Sequence, residues 1–257
     1  MCSPGRCWPP SFPPPAQWQA ITPEQTRTLL RRVLARWGLP RRVQVDNGHP
    51  WGLNTGLPPD LALWLIGLGV GMSWIPPGQP QKNGTIERGN GLMQQWGEPA
   101  TCRSRAELRA RLEREGLIQR ERYPAIGGLS RMEAYPDLRH SGRPYDPAEE
   151  DAVWDLAEVD RVLAAGVYYR RANARGAIWL YGWGRGLGRV HRGKEVCVRF
   201  DASLRHWVVS DHQGQELKRL AADELSRARI RSLSVGHHRP DRKRPTRGGN
   251  FTSHPGG

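Results

Sequence analysis

Two carboxylates, Asp46 and Glu87, stand at positions where acidic side chains can bind a metal ion. Asp46 follows the alternating run 42–45 and precedes Asn47-Gly48, a turn signal. Glu87 follows Asn83-Gly84 and opens a predicted helix, and forty residues lie between the two acids. In an α/β fold, a carboxylate at a strand end can meet one on a nearby helix and hold Mg²⁺, which prefers oxygen ligands. Two such ions stabilise the attacking and leaving oxygens in phosphodiester chemistry.

Both acids also have structural interpretations. An Asp before Asn-Gly is ordinary turn chemistry, because its side chain accepts hydrogen bonds from the backbone that follows. A Glu in the first turn of a helix complements the positive end of the helix dipole. The spacing alone therefore leaves a metal site and two local structural acids open.

The elements that must position these acids follow an α/β pattern. Residues 21–37 carry apolar side chains at helical spacing behind the N-capping signal Thr22-Pro23. A short buried strand over 41–45 follows and ends at Asp46. The pattern then predicts a helix over 59–68, a strand over 71–75, a loop over 78–84, a helix from residue 84 and a charged helix over 103–120. Alternation of helices and strands is typical of an α/β core.

The second half of the chain is rich in β-forming residues. The runs VYYR, AIWLYGW, EVCVRF and HWVVSD, with ELKRL as a fifth, are separated by Gly or Asp and predict a small all-β barrel. We therefore divide the chain into a disordered Pro-rich segment (1–20), an α/β core (21–125), an extended connector (126–157), a β-barrel (158–225) and a disordered basic tail (226–257).

The charge of the chain indicates a polyanionic partner. The formal net charge is +14, and half of it falls from residue 226 onward, where eight Lys/Arg face one Asp. The simplest partner for such a protein is double-stranded DNA, bound in a sequence-independent and salt-sensitive way. The alternative is a basic protein from a GC-rich genome, in which codon usage inflates Arg.

Cysteines and apolar runs exclude other classes. The four cysteines are scattered and none forms a CxxC pair, so the sequence predicts neither a zinc site nor a need for disulfides. No apolar run reaches the roughly 18 residues that a membrane span requires. We expect no membrane partner and a location in the cytoplasm.

Six cations are candidate DNA contacts. Lys82 and Arg88 flank Glu87, and a cluster between the β-rich runs holds Arg185, Arg189, Arg192 and Lys194. Solvated loop charge is the alternative interpretation for all of them. Trp179, Tyr181 and Trp183 alternate in one run and are expected to share a strand face, where barrel core is favoured over a binding role.

Three stretches carry a resemblance to a known family. They are WGLPRRVQVDNGHPWG, the run ending in IPPGQPQKNGTIERGN, and ERYPAIGGLSRMEAYPDLRHSGRPYDP. Together they resemble the integrase core of bacterial insertion-sequence transposases, members of the DDE (retroviral-integrase-like) family with an RNase H-like fold. Asp46 matches the second acidic residue of the family and Glu87 the third. The resemblance covers residues 25–148, and residues 158–225 are similar to the SH3-like barrel that follows this core.

The resemblance implies Mg²⁺- or Mn²⁺-dependent DNA cleavage and strand transfer, in which both acids are catalytic metal ligands. It also implies double-stranded DNA, further copies of the chain or a full-length transposase as partners, and a place at the bacterial nucleoid. The chain departs from the family's pattern in more than one place, since no Asp precedes Asp46 and Glu121-Arg122-Tyr123-Pro124 stands near the position of the family's ERPH segment. The first catalytic Asp and the first strands of the RNase H-like sheet are therefore expected to be missing.

Three hypotheses remain open. The chain is a truncated or mis-started DDE transposase whose full form cuts and joins DNA, a non-catalytic DNA-binding remnant, or a pseudogene product that does not fold stably. The lost Asp favours the second and third hypotheses for this polypeptide, whereas Asp46, Glu87 and the PQKNG loop favour the first for its gene.

Overall fold

A computed structural model describes residues 21–52, 56–76 and 78–236, and they form a mixed α/β fold. The helices are α1 (Pro23–Trp37), α2 (Asp60–Gly67), α3 (Gly84–Gly97), α4 (Arg105–Glu121), α5 (Arg131–Ala134), α6 (Glu150–Val153), α7 (Leu156–Ala164) and α8 (Arg227–Arg231). The strands are β1 (Arg42–Val45), β2 (Gly71–Trp74), β3 (Tyr168–Arg171), β4 (Ala177–Leu180), β5 (Trp183–Gly186), β6 (Glu195–Asp201), β7 (His206–Ser210) and β8 (Glu216–Ala221). None of the helices in these ranges has the length and apolar character needed to cross a bilayer.

The predicted elements of the first half are present. Helix α1 begins with a capping box, in which Thr22 Oγ1 accepts from the Gln25 amide at 3.2 Å and Gln25 Oε1 from the Thr22 amide at 3.0 Å. The helix ends at Gly38, whose φ of 78° suits glycine. Because these signals are local, the sequence pattern placed this helix to within two residues.

Strands β1 and β2 are parallel, with Val45 opposite Trp74, and α2 is the crossover between them. Every residue of α2 after Asp60 is buried. Its sequence, DLALWLIG, is apolar all round, which is typical of a helix enclosed on all sides. The carboxyl ends of both strands consequently lie at one edge of the pair.

The second half contains two separate antiparallel sheets in the described residues. One has the strand order β3-β6-β7-β8, and the other is the β4-β5 hairpin. Along β6 the side chains of Val196, Val198 and Phe200 are buried, whereas the alternate positions face outward. The sheets face a core centred on Trp207, which is fully buried. They do not close into one hydrogen-bonded ring.

Two boundaries in the second half differ from the sequence prediction. The segment 158–225 is not all-β, because α7 enters it and buries Val159 and Leu163. The prediction of disorder from residue 226 is wrong for residues 226–236, where α8 forms and Ile230, Leu233 and Val235 are buried at 0–2% exposure. The sequence prediction missed these three apolar side chains because arginines dominate the segment in which they lie. The disorder predicted for residues 1–20 and 237–257 lies outside the described residues.

The run AIWLYGW is a hairpin and not one strand. Tyr181 (φ 49°) and Gly182 (φ 78°) form a two-residue turn, with Leu180 opposite Trp183 across it. The prediction that Trp179, Tyr181 and Trp183 share one strand face is therefore wrong. Trp179 is 56% exposed, whereas Tyr181 packs against the core and Trp183 is half-buried.

The predicted core and barrel share a single hydrophobic core. The buried cluster runs from Leu34 in the first half to Val235, just after α8. The connector joins them, since Trp154 is buried and donates from Nε1 to the Trp64 carbonyl of α2 at 3.0 Å. Its short helices α5 and α6 also mean that the predicted connector is only partly extended.

A buried carboxylate, Glu150, sits at the junction of these parts. It is 2% exposed and accepts two hydrogen bonds from Arg31 of α1, at 2.9 and 2.7 Å. It also accepts from Trp64 Nε1 at 3.1 Å and from the Tyr145 hydroxyl at 2.5 Å, while Arg231 of α8 lies 3.6 Å away. Although burial opposes ionisation, the hydrogen bonds from Arg31, Tyr145 and Trp64 lower the pKa of Glu150 to about 2.

We predict that Glu150→Gln destabilises the fold by about 1–3 kcal/mol, because it removes the charge that pairs with half-buried Arg31 and weakens the charge-assisted hydrogen bonds around a buried side chain. The neighbouring Glu149 is exposed, and Glu149→Gln is the matched control, expected to change stability by less than about 0.5 kcal/mol. Urea denaturation at neutral pH measures both.

The stabilisation that Glu150 provides should depend on pH. The pKa of Glu150 is lowered from 4.5 to about 2, so its stabilisation is complete above pH 4.5 and is lost as the pH falls towards 2. The gap in melting temperature between wild type and Glu150→Gln should narrow across that window. A gap that stays constant down to pH 2.5 contradicts this assignment.

A second prediction concerns Gly67, against which the Trp154 indole packs. A Cβ on Gly67 would lie 2.1 Å from Trp154 Cε2. Gly67→Ala should therefore destabilise by about 1–3 kcal/mol, although alanine is the better helix former. The control is Gly91→Ala in α3, where nothing lies within 4 Å and a gain of about 0.5–1 kcal/mol is expected. Equal effects at the two glycines would refute the packing argument.

Candidate functional site

Asp46 lies directly after β1 with its side chain exposed. Its Oδ1 accepts a hydrogen bond from the Gly48 amide at 3.0 Å, so the turn chemistry anticipated from Asn47-Gly48 is present. This bond occupies one carboxylate oxygen and fixes the side chain over the turn. The other oxygen makes no protein hydrogen bond in the described part of the chain.

The loop before Glu87 runs beside Asp46. Asn47 Nδ2 donates to the Ile75 carbonyl at 2.7 Å, which ties the turn after β1 to the end of β2. Gln44 Nε2 donates to the Lys82 carbonyl at 3.3 Å, so the loop that leads into α3 passes the end of β1. The structure thus places Asp46 and the segment that introduces Glu87 at one edge of the parallel pair.

Glu87 is exposed in the first turn of α3 and forms no ion pair within the ranges described. The site that the resemblance implies needs three carboxylates around two metal ions. No group of three His, Cys, Asp or Glu side chains suited to a metal ion occurs in residues 21–52, 56–76 and 78–236. Asp46 and Glu87 alone do not fit a two-metal site, because the third ligand has no counterpart among these residues.

Lys82 and Arg88 stand on either side of Glu87. Lys82 belongs to a 3₁₀ turn (Pro80–Asn83) and Arg88 to α3, and both side chains are exposed. Neither forms an ion pair with a described residue. Both remain candidates for phosphate contact at the edge that carries Asp46.

Arg185 has a structural role that the sequence did not indicate. Its Nη2 donates to Glu224 Oε2 at 2.6 Å, and Glu224 is fully buried and also accepts from Trp207 Nε1 at 2.8 Å. The guanidinium also contacts the Trp183 ring, 5.2 Å from its centroid. Since Arg185 neutralises a buried carboxylate, we no longer count it among the DNA contacts.

The remaining three cations of that cluster, Arg189, Arg192 and Lys194, are exposed on the loop between β5 and β6. We call residues 187–194 the basic loop. Within the described chain none of the three side chains forms an ion pair. Val190 in the same loop is 72% exposed, so the loop presents one apolar and three cationic side chains to solvent.

Backbone contacts hold the basic loop in place. The Ala172 amide donates to the Lys194 carbonyl and the Gly193 amide to the Ala172 carbonyl, both at 2.9 Å. At Gly176 (φ 71°) a Cβ would lie 2.0 Å from the Gly188 oxygen, so only glycine permits this close approach. The turn 172–176 and the basic loop therefore form one fixed surface.

This contact adds two arginines that sequence analysis missed. Arg171 Nε donates to the Gly193 carbonyl at 3.0 Å, and Arg175 is exposed in the turn 172–176. We call Arg171, Arg175, Arg189, Arg192 and Lys194 the basic surface. Glu195, opposite Arg171 in the β3–β6 register, is an exposed acid at its border. The missing signal was the strand pairing, which brings together residues about twenty positions apart.

A concavity lies beside the turn that follows Asp46. It has a volume of about 260 Å³, and its lining includes Pro23, His49, Pro50 and Asp60. Asp60 Oδ2 accepts from the Val235 amide at 3.0 Å and so helps to hold the segment after α8. Most of the lining is apolar or glycine, and its one carboxylate, Asp60, is used in this structural contact.

Fold and site together define a mixed α/β protein with a fixed basic loop surface and two carboxylates at the edge of a parallel strand pair. A scan against protein-family models found no match to the chain. The function is therefore argued from the site.

Proposed function

We propose that this chain binds double-stranded DNA and descends from DDE transposases of bacterial insertion sequences. The observation that carries DNA binding is the basic surface, where five exposed cations lie at the end of β3 and on two loops fixed to each other by backbone hydrogen bonds. Cations held in this way contact phosphates at a small entropic cost and release counterions from the duplex. The net charge of +14 adds a long-range attraction.

The lineage rests on the resemblance and is supported by the order of the elements. Helix α1, strand β1, helix α2, strand β2 and the loop into α3 occur in the order expected for the later part of an RNase H-like core. The two small sheets around Trp207 are consistent with an SH3-like barrel, although they do not close. We therefore propose that the first half is a partial RNase H-like core and that the second half is an SH3-like barrel. A protein of this lineage would act at the bacterial nucleoid, as further copies or with a full-length transposase.

Catalysis is the second candidate function. It is favoured by the placement of Asp46 and the segment before Glu87 at one edge, where Mg²⁺ or Mn²⁺ could be bound in an intact member of the family. Because two carboxylates do not fit the two-ion site, we propose that this polypeptide binds DNA without cutting it. Intact members would cleave and join DNA with the metal ions held by three carboxylates.

The first test removes three charges from the basic loop. Arg189→Ala/Arg192→Ala/Lys194→Ala should weaken binding to a labelled duplex and reduce the slope of log K against log salt by about 2.7, because each phosphate contact contributes about 0.9. Fluorescence anisotropy across a salt series measures both quantities.

The matched control removes three exposed arginines from another surface. Arg103 precedes α4, and Arg105 and Arg109 lie in its first two turns; the described residues offer none of the three an ion pair. Their triple alanine variant has the same net charge as the loop variant but should keep a slope within about one unit of wild type. Identical slopes for the two variants would show that net charge, and not the basic surface, governs binding.

A second test concerns cleavage. We expect wild-type protein with Mg²⁺ or Mn²⁺ to nick supercoiled plasmid no faster than the Asp46→Ala/Glu87→Ala variant, since the third carboxylate of the family is absent from the described residues. Gel quantification of relaxed plasmid over time makes the comparison. Metal-dependent nicking by wild type that the double variant lacks would establish the catalytic function instead.

A further inference from the structure

Two large aromatic side chains are exposed on adjoining strands beside the basic surface. Tyr169 of β3 is 63% exposed and Trp179 of β4 is 56% exposed. Their chain neighbours Tyr168, Ile178 and Leu180 are buried in the core. Because side chains alternate along a strand, Tyr169 and Trp179 both point away from that core. Because both side chains remain largely in water, they contribute little of the hydrophobic stabilisation that burial would give, and their exposure is not explained by the stability of the fold.

Arg170 fixes the distance between the two strands that carry these rings. Strands β3 and β4 belong to different sheets, and no backbone ladder joins them. Instead, Arg170 Nη1 donates to the Tyr169 carbonyl at 2.7 Å and Nε to the Trp179 carbonyl at 3.2 Å. One guanidinium therefore bridges the two residues whose side chains are exposed.

The Trp179 ring is supported on one side only. Gly184 lies opposite Trp179 in the hairpin, and a Cβ there would be 3.4, 3.5 and 3.6 Å from three atoms of the six-membered ring. These near-equal distances mean that the ring lies across the bare backbone of Gly184. The Gly184 backbone contacts one face of the indole, while more than half of Trp179 remains exposed to solvent.

The aromatic pair continues into the basic surface. Arg171 is two residues after Tyr169 on the same side of β3, and both are exposed. Its Nε donates to the Gly193 carbonyl at 3.0 Å, between Arg192 and Lys194. A ligand lying across the two rings can thus reach three cations without leaving the surface.

We propose that Tyr169 and Trp179 form a stacking platform for unpaired bases of single-stranded DNA, whose phosphates are bound by Arg171, Arg192 and Lys194. Aromatic rings beside a cationic track are the chemistry that binds single strands, because every base has a π-face and every nucleotide a phosphate. In a duplex the bases are already stacked and cannot reach the rings. This inference rests on the proposed DNA binding and specifies which form of DNA engages the platform.

The charge of the surroundings argues against a second copy of the chain as the occupant. An exposed aromatic pair can serve self-association, but here it adjoins five cations. Two identical basic surfaces brought together would repel each other, whereas a polyanion is attracted.

The test compares two probes of equal length, a fluorescein-labelled oligodeoxythymidylate and a labelled duplex. Oligodeoxythymidylate does not pair with itself, so it presents unpaired bases only. Trp179→Ala should weaken binding to the single strand about tenfold, the loss expected for one stacked base, and change binding to the duplex by less than about twofold. Trp179→Phe keeps an aromatic face and should retain most of the affinity.

The matched control is Tyr135→Ala, since Tyr135 is another exposed aromatic, at 55%, on the connector. It should leave both affinities unchanged. The proposal is overturned if Trp179→Ala leaves single-strand binding intact, if it weakens both probes equally, or if it changes the sedimentation of the protein alone. If wild type binds neither probe, the proposed DNA binding fails together with the platform. If wild type binds the duplex but Trp179→Ala does not weaken binding to the single strand, only the stacking platform is refuted.

Discussion

The carboxylate of Glu150 is bound by side chains from α1, α2, the connector and α8, and the arrangement of the two halves depends on it. Taking a charge out of water costs several kcal/mol, which is recovered only when opposite charge and hydrogen bonds surround it. Arg31, Trp64 and Tyr145 meet that condition in one geometry only. Apolar contacts make the core cohesive, but this network determines how the elements are oriented around it.

Glu224 repeats the same chemistry in the second half of the chain. Like Glu150 it is buried, and it too accepts hydrogen bonds from one arginine and one tryptophan, here Arg185 and Trp207. The ion pair fixes the β4-β5 hairpin against the end of the four-stranded sheet. The basic loop leaves from that hairpin, so a buried glutamate ultimately positions cations at the surface. An ion pair beneath the hairpin therefore helps to hold the basic surface in place.

Much of the fold was predictable, since its signals are local. The capping box at Thr22, the all-apolar run of α2 and the strand alternation around Val198 each lie within a few residues. Two of the wrong predictions, the basic tail and the Arg185 contact, involve long-range packing, whereas the error over Tyr181 came from a missed two-residue turn. The tail after residue 226 looked like a basic linker, but Ile230 and Val235 find their partners on elements far earlier in the chain. The sequence predicted that Asp46 lies at the carboxyl end of a strand. It could not predict that Asp46 lies near the loop before Glu87, because that proximity depends on the parallel pairing of β1 with β2.

By itself, the sequence determined the net charge, the helix and strand periods and the two acids that stand beside turn signals. Only the tertiary structure decided what each polar side chain does. Arg185 and Arg189 stand four residues apart in similar surroundings, yet the first neutralises a glutamate 39 positions away and the second remains exposed. Composition cannot distinguish them, because the free energy of a charge depends on the groups that folding brings to it and on the water that folding removes.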